Sequence, residues 1–231
     1  NAFVIDASFD TSFYPFPFTQ IKNSKSALTG SLAHLFQIQG YKIGLISSTA
    51  YRAPNIDDLA KVFDSSPGTV VVPNAQLGPE YAYNLEVNFE SPQRKVVQVF
   101  ASFFYTYLDG AINRENSSFN GQDSILYDGT LSQVQQLKNT DFATVYGAQF
   151  NVKINLDSHW MLRSAYTLLG SDFKSGDPIR HITPNFGGTH LLYKAESWTL
   201  DFYAQYQQAL PFEKFNSAEV NDSYLYLLDE N

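Results

Sequence analysis

Hydrophobic and polar residues alternate along much of the chain with a period of two. The clearest example is the segment 80–90, in which one set of alternate positions is apolar or aromatic: Tyr81, Tyr83, Leu85, Val87 and Phe89. The positions between them are mostly polar: Glu80, Ala82, Asn84, Glu86, Asn88 and Glu90. Because successive side chains of a β-strand point to opposite faces, this pattern predicts a strand with one apolar and one polar face.

The same alternation recurs in other segments and predicts about nine strands in total. The segments in which it is clear are 41–52, 141–156, 160–169 and 198–207, with a less regular one at 96–107. The segments in which it is weaker are 1–9, 26–38 and 185–195. The chain is therefore expected to be all-β, with antiparallel strands that follow one another along the sequence.

The lengths of the strands and of their connections distinguish a membrane barrel from a soluble β-sandwich, whose strands also have one apolar face. The predicted strands run for about 10 to 15 residues, whereas about 5–6 is usual in soluble sheets and about 9–11 cross a bilayer. Short connections are expected at 39–40, 91–94, 157–158 and 195–197. Long connections are expected at 10–25, 53–79, 110–139 and 173–183, with a tail from 211. This regular alternation of short and long connections is typical of a transmembrane barrel, in which short periplasmic turns alternate with long outer loops.

The placement of charged and aromatic residues favours the same architecture. The apolar faces of the predicted strands contain no Asp, Glu, Lys or Arg, and Arg or Lys facing lipid at mid-depth would cost about 2–4 kcal/mol. Aromatic residues gather beside the short turns (Tyr41, Phe89, Trp160, Trp198) and the long loops (Tyr51, Tyr81, Tyr107, Phe142). Two such belts are typical of a transmembrane barrel, in which they lie at the membrane interfaces.

Composition narrows the function classes further. Aromatic and charged residues each make up 16% of the 231 residues, and the charged share is below the roughly 25% of soluble domains. The net charge of -8 argues against a nucleic-acid partner, and the absence of Cys excludes disulfides. No apolar run reaches the roughly 20 residues of a membrane helix. The sequence opens directly in a strand pattern without a signal peptide, so residue 1 is not expected to be the natural start of an exported protein.

Two segments that flank the 53–79 connection carry a family resemblance. Tyr-Arg-Ala-Pro at 51–54 resembles the Phe-Arg-Ala-Pro motif of TonB-dependent receptors, with Tyr51 where Phe is usual. The segment 74–80 resembles the family's Asn-Pro-x-Leu-x-Pro-Glu, with Ala75 in place of the first Pro. The structural motif residues that this resemblance marks are Arg52, Pro54, Pro79 and Glu80.

Two later segments resemble the same family. Residues 146–150 are similar to its Gly-x-Glu strand, with Gln149 in place of Glu, and residues 181–184 followed by 191–193 are similar to a late strand of its barrels. The resemblance implies a 22-stranded barrel with a plugged lumen. Residues 1–231 are then expected to form part of that barrel, without the plug domain, the TonB box and the last strand. Open edges of apolar strands aggregate, so the chain is not expected to fold alone as a soluble monomer.

The resemblance also implies a function: uptake of a bulky nutrient of the siderophore, cobalamin or glycan class across the outer membrane. The expected partners are outer-membrane lipid, the nutrient, and the TonB complex, which acts through the missing plug. Other outer-membrane barrels, such as a porin or an adhesin, remain open. A soluble β-barrel binding protein is a further alternative, and an outer-membrane enzyme is the least favoured reading because no nucleophile–base set is visible.

Candidate chemistry is sparse, so no catalytic residue, metal ligand or cofactor is expected. The four histidines have no ligand spacing: His34, His159, His181 and His190. Asp57 and Asp58 are interpreted as a solvated pair or a helix cap. The ligand-binding residues are unknown, and the loops 53–79 and 110–139 are the candidates, since binding residues concentrate on loops.

Arg52 and Glu80 lie on the polar faces of their strands at the two ends of the 53–79 loop. We therefore expect them to pair inside the lumen and anchor this loop; the alternative is two separately solvated charges. An exposed ion pair contributes only about 0–1 kcal/mol, whereas a pair in a narrow lumen could contribute more.

Overall fold

The computed structural model describes residues 2–8, 19–66, 68–93, 96–176, 179 and 182–210. The predicted tail from 211 and His181 lie outside these residues. In chain order the elements are β1 (Ala2–Ser8), β2 (Gln20–Ser26), β3 (Ser31–Ile38), β4 (Tyr41–Arg52), α1 (Ile56–Ala60), β5 (Phe63–Ser66), β6 (Thr69–Val72), β7 (Glu80–Glu90), β8 (Val97–Asp109), β9 (Ile112–Asn116), β10 (Ser124–Tyr127), β11 (Thr130–Asn139), β12 (Phe142–Asn155), β13 (Trp160–Phe173), β14 (Phe186–Lys194) and β15 (Thr199–Gln207). Within the described ranges, no helix is long and apolar enough to cross a bilayer.

An eight-stranded antiparallel sheet dominates the fold. Its spatial order, β3-β4-β7-β8-β12-β13-β14-β15, follows the chain without a crossover. The prediction of an all-β antiparallel meander is confirmed. Eight of the nine predicted strands correspond to strands of this sheet, and the first corresponds to β1, which pairs with β2 in a separate two-stranded sheet. The sheet is open within the described residues: β3 and β15 are its edges.

The long connections, in contrast, are not plain loops. The predicted 10–25 connection contains β2, the 53–79 connection contains α1, β5 and β6, and the 110–139 connection contains β9, β10 and β11. Alternation does not reveal these strands because most are short or polar, and because the ladder between β6 and β11 joins segments about 64 residues apart in sequence. Of the long connections, 173–183 has no strand of its own beyond the end of β13 in its described part.

The long sheet has one apolar and one polar face, and the apolar face is the exposed one. On β7, Leu85 is 57% exposed, whereas its neighbour Glu86 is partly buried. Polar side chains on the opposite face bind one another: Ser102 Oγ donates to Glu86 at 2.9 Å, and Thr106 Oγ1 donates to Asn84 at 2.8 Å. This arrangement is the reverse of a water-soluble protein, in which apolar side chains are buried.

Aromatic side chains cover the apolar face in cross-strand pairs. Ring centroids lie 6.4 Å apart in the pair Tyr105–Tyr146 and 5.7 Å apart in the pair Phe103–Phe150. His34 also lies on this face, because it is paired opposite Leu45. Cross-strand aromatic pairs typically stabilise a sheet by about 0.2–1 kcal/mol each.

Short turns connect the strands at the end of the sheet opposite the long connections. In the first, Gln39 and Gly40 both have positive φ, at 50° and 85°, as a two-residue hairpin turn that follows the twist of the strands requires. In another, Asp157 Oδ1 accepts the backbone N–H groups of His159 and Trp160, each at 2.7 Å. These two donors hold the pKa of Asp157 below its usual range.

Well-buried apolar clusters lie mainly among the long connections. Leu59 and Val134 are 0% exposed, each in a different cluster of these outer segments. A third cluster, Ala111 with Ala143 and Phe173, lies where the long sheet meets them. The sheet itself has little apolar core, which is expected if its apolar face is covered by lipid.

Gly187 allows two tyrosine rings to lie against the sheet, and this close approach generates a prediction. A Cβ atom at Gly187 would lie 2.5 Å from the Tyr206 ring, 2.6 Å from the Tyr166 ring and 2.7 Å from the Ala165 carbonyl oxygen. We expect Gly187→Ala to reduce the folded fraction of the whole protein, measured as the band that resists unfolding by SDS without heating. Because the Ala165 carbonyl oxygen belongs to the backbone, a shift of side chains alone cannot relieve the clash.

The neighbouring glycine provides a matched control. A Cβ at Gly188 would meet its closest atom at 3.6 Å, an ordinary contact, so Gly188→Ala should leave the folded fraction unchanged. Equal effects of the two substitutions would contradict the packing role of Gly187.

Candidate functional site in the outer loops

The two longest connections form one small sheet. Strands β5 and β6 come from the first and β9, β10 and β11 from the second. The link is a parallel ladder in which residues 69–72 of β6 pair with residues 133–136 of β11. We call the five strands together the loop sheet. Parallel pairing between two hairpin connections is non-local, so period-two alternation along the chain cannot reveal it.

Side-chain amides reinforce the contact between the two connections. Asn139 Oδ1 accepts the Gly78 N–H at 2.6 Å, and Asn139 Nδ2 donates to the carbonyl oxygens of Gly78 at 3.0 Å and Gly110 at 2.7 Å. Asn74 Nδ2 donates to the Leu137 carbonyl at 2.7 Å. One asparagine thus satisfies backbone groups at the end of the first connection and the start of the second.

Arg52 and Glu80, whose pairing is predicted from the sequence, are in contact. Arg52 Nη1 lies 3.3 Å from Glu80 Oε1, and Arg52 Nη2 lies 3.0 Å from Asp58 Oδ2. The second oxygen of Glu80 accepts the backbone N–H of Ile112 at 3.0 Å. The guanidinium therefore joins both ends of the 53–79 connection, and Glu80 extends the contact to the 110–139 connection.

Asp58 has a second role in the same network. It forms a capping box with Asn55: the Asp58 carboxylate accepts the Asn55 N–H at 3.0 Å, and the Asn55 side chain accepts the Asp58 N–H at 2.8 Å. Of the two interpretations of Asp57 and Asp58, the helix cap is therefore correct for Asp58. Pro54, just before this cap, is fully buried, and Pro79 directly precedes Glu80.

Apolar residues pack against both faces of the loop sheet. On one side, Leu59 of α1 and Leu77 form a cluster with Ile21 of β2. On the other side, Val70, Val72 and Val134 form a cluster that also contacts Phe119 and Tyr127. The hairpin of β1 and β2 is thereby fixed to the two connections, and Asn23 Nδ2 donates to the Leu77 carbonyl at 3.2 Å.

The exposed tip of the loop sheet is apolar. Leu126 and Leu131 are direct cross-strand partners, 71% and 69% exposed. Nearer the base, Lys61 and Arg114 each lie 5.4 Å from the centre of the Phe63 ring, at a distance typical of cation–π contacts. These groups provide apolar and cationic surface in the loops 53–79 and 110–139, the candidate ligand-binding loops predicted from the sequence.

Candidate metal and catalytic groups do not converge. In the described part of the chain, no three His, Cys, Asp or Glu side chains are placed to hold a metal ion. His34 contacts Phe36 on the apolar face, and His159 lies in a short turn. His190 Nδ1 lies 3.0 Å from Asp201 on the polar face of the long sheet.

Long antiparallel strands, an exposed apolar face and structured connections at one end together define a wall segment of a β-barrel membrane protein. The family model described as "TonB dependent receptor-like, beta-barrel" matches residues 8–229. The chain belongs to this family, and the resemblance found in its motifs is confirmed.

Solved structures show the same fold at low sequence identity. The copper transporter OprC superposes with a TM-score of 0.67 at 14% identity, over 82% of this chain and 27% of that one. The ferric enterobactin receptor PfeA of Pseudomonas aeruginosa gives 0.64 at 17% identity, over 80% and 28%. The hemophore receptor HasR of Serratia marcescens gives 0.65 at 15% identity, over 84% and 33%. The chain thus spans about a third or less of these proteins, and comparison with curated protein sequences gives no match.

The bridging position of Glu80 generates a prediction. Replacing Glu80 with Ala removes one partner of Arg52 and the acceptor of the Ile112 N–H. We expect faster amide hydrogen exchange in both 53–79 and 110–116, measured by mass spectrometry on the detergent-solubilised receptor. Asp57→Ala is the control, because Asp57 is exposed and has no hydrogen bond or ion pair to Arg52 or Ile112 in the described structure. Unchanged exchange in Glu80→Ala would refute the anchoring role.

Asn139 generates a second prediction about the same loops. In Asn139→Ala three hydrogen bonds are lost, two to Gly78 in the other connection and one to Gly110, and the net cost is about 1–3 kcal/mol of local stability because backbone groups lose their partners. Exchange should therefore increase directly at Gly78, whose N–H loses its acceptor, and indirectly at Gly110, whose carbonyl loses its donor while its N–H is bonded to the Asp141 carbonyl. Asn113→Ala, on the neighbouring strand β9, is the control and should change the exchange of neither glycine. If Asn139→Ala increases exchange at only one of the two glycines, Asn139 does not hold both connections together.

Proposed function

We propose that the chain forms part of the wall of an outer-membrane receptor that imports a bulky nutrient with energy from the TonB complex. The observation that carries this proposal is the inverted long sheet with its joined outer connections, in a chain that belongs to the TonB-dependent receptor barrel family. An exposed apolar face of aromatic and aliphatic side chains suits contact with lipid, so the outer membrane is the proposed location.

The cargo is proposed only by class. The similar structures include a copper transporter, a ferric enterobactin receptor and a hemophore receptor, so the family fold accommodates different cargo. We propose a siderophore, cobalamin or glycan for this protein, bound through the loops 53–79 and 110–139. The joined loop sheet supports this placement, because a rigid scaffold can hold contact residues in a fixed arrangement.

The remaining parts of the proposal rest on the family. Residues 1–231 are proposed to be a partial barrel domain, with the plug domain and the last strand elsewhere in the protein. The TonB complex would then act through that plug. A receptor of this kind moves its cargo without chemical change, so we propose that the protein is not an enzyme and holds no cofactor.

A binding measurement on the complete receptor tests the proposed class. The detergent-solubilised receptor is passed over an immobilised periplasmic domain of TonB, and saturable binding is expected. A receptor from which the TonB box has been deleted is the control and should not bind. No binding by the complete protein would favour the alternative of a porin or an adhesin, and solubility of the complete protein without detergent would favour a soluble β-barrel.

A further inference from the structure

The polar face of the long sheet contains a cavity of about 660 Å³ close to the short turns. One row of directly paired residues crosses its wall, from β8 through β12, β13 and β14. The members of this row are Gln98, Lys153, Arg163 and His190. All four line the cavity.

Lys153 and Arg163 are direct cross-strand partners of like charge. Such pairs bring Cβ atoms to about 4.5–5.5 Å of each other and destabilise a sheet when no counter-charge is present. Neither cation has an acidic partner among the residues that the structure describes. Because Arg163 is exposed and Lys153 is only partly buried, a negative group from outside the described residues can reach both side chains.

The acidic groups of the cavity wall are already engaged on either side of this pair. Glu90 accepts from Lys42 Nζ at 3.2 Å and from Gln93 Nε2 at 3.1 Å. The two oxygens of Asp201 lie 3.1 Å and 3.0 Å from His190 Nδ1. Since each carboxylate has its own partner, neither one compensates the central cations by direct contact.

The wall beside the two cations is open and polar. Ala165 and Gly188 lie two positions from Arg163 and His190 on the same face, and both are small. A Cβ at Gly188 would have no atom closer than 3.6 Å, so space remains there. Asn151, two positions from Lys153, lines the same cavity, and its side-chain amide has no partner in the described structure.

We propose that Lys153 and Arg163 form an oxyanion-binding site, in which one carboxylate or phosphate-like group accepts hydrogen bonds from both cations and from the Asn151 amide. The guanidinium suits two-point contact with such a group, and the ammonium supplies a point charge. The oxyanion comes either from a polypeptide segment inside the barrel or from solution. The site depends on the cavity and its charges, and it does not require the proposed transport function.

The site is tested by whether a substitution raises or lowers the thermal unfolding midpoint of the complete receptor, measured in detergent. If an oxyanion bridges the cations, Lys153→Gln and Arg163→Gln should each lower the midpoint by about 2 °C. If the cavity holds no anion, each substitution removes a like-charge repulsion, and the midpoint rises or stays the same. That second result would overturn the proposal.

Two further variants separate charge from packing. Lys153→Arg keeps the charge and should keep the midpoint, so an equal fall in Lys153→Arg and Lys153→Gln would also overturn the proposal. Lys25→Gln removes a lysine from β2, remote from the cavity, and should have no effect. Failure of TonB binding in these proteins would bear on the proposed function but not on the oxyanion site.

The source of the oxyanion is decided by exchanging chloride for inorganic phosphate at constant ionic strength. A rise in the midpoint of the unmodified receptor, absent from Arg163→Gln, identifies an anion from solution. No response to phosphate, together with the lower midpoints of both glutamine variants, identifies a carboxylate of the protein itself.

Discussion

Backbone hydrogen bonding across the long sheet is the constraint on which the rest of the structure depends. A chain in hydrocarbon cannot leave N–H and C=O groups unpaired, so each strand must be bonded to neighbours on both sides over its full membrane depth. The ladder between β12 and β13 meets this requirement without a break from Ala143 to Asn155. Strand length, alternation and the exposed apolar face all follow from that requirement.

The outer connections are stabilised in a different way, because they lie beyond the continuous ladders of the long sheet. They contain a short helix, buried valines and leucines, and a sheet with apolar residues on both faces, as a small water-soluble domain does. Arg52 is the last residue of β4 and Glu80 is the first residue of β7, so both lie at the boundary between the long sheet and the outer connections. Their ion pair therefore links two strands of the long sheet to the outer connections.

The sequence predicted those features that depend on local pattern. Strands β4 and β7 have the predicted bounds, because strict alternation ends where a loop begins. Arg52 and Glu80 could be paired in advance, since both lie on polar faces at the ends of consecutive strands. Asn139 and the β6–β11 ladder could not be predicted, because their partners lie about 60 residues away in sequence and a polar strand has no alternation to reveal it. The Lys153–Arg163 pair could not be predicted either, because it depends on the register between β12 and β13.

The shared ladder has a mechanical consequence for the loops. Strand β11 is bonded to β6 on one side and to β9 and β10 on the other, so both connections share its backbone. Moving one connection alone would expose the paired groups of residues 69–72 and break the Asn139 contacts at the same time. Because unpaired backbone groups are costly, the two connections must move together or the ladder must open first. A ligand that contacts either loop therefore acts on both.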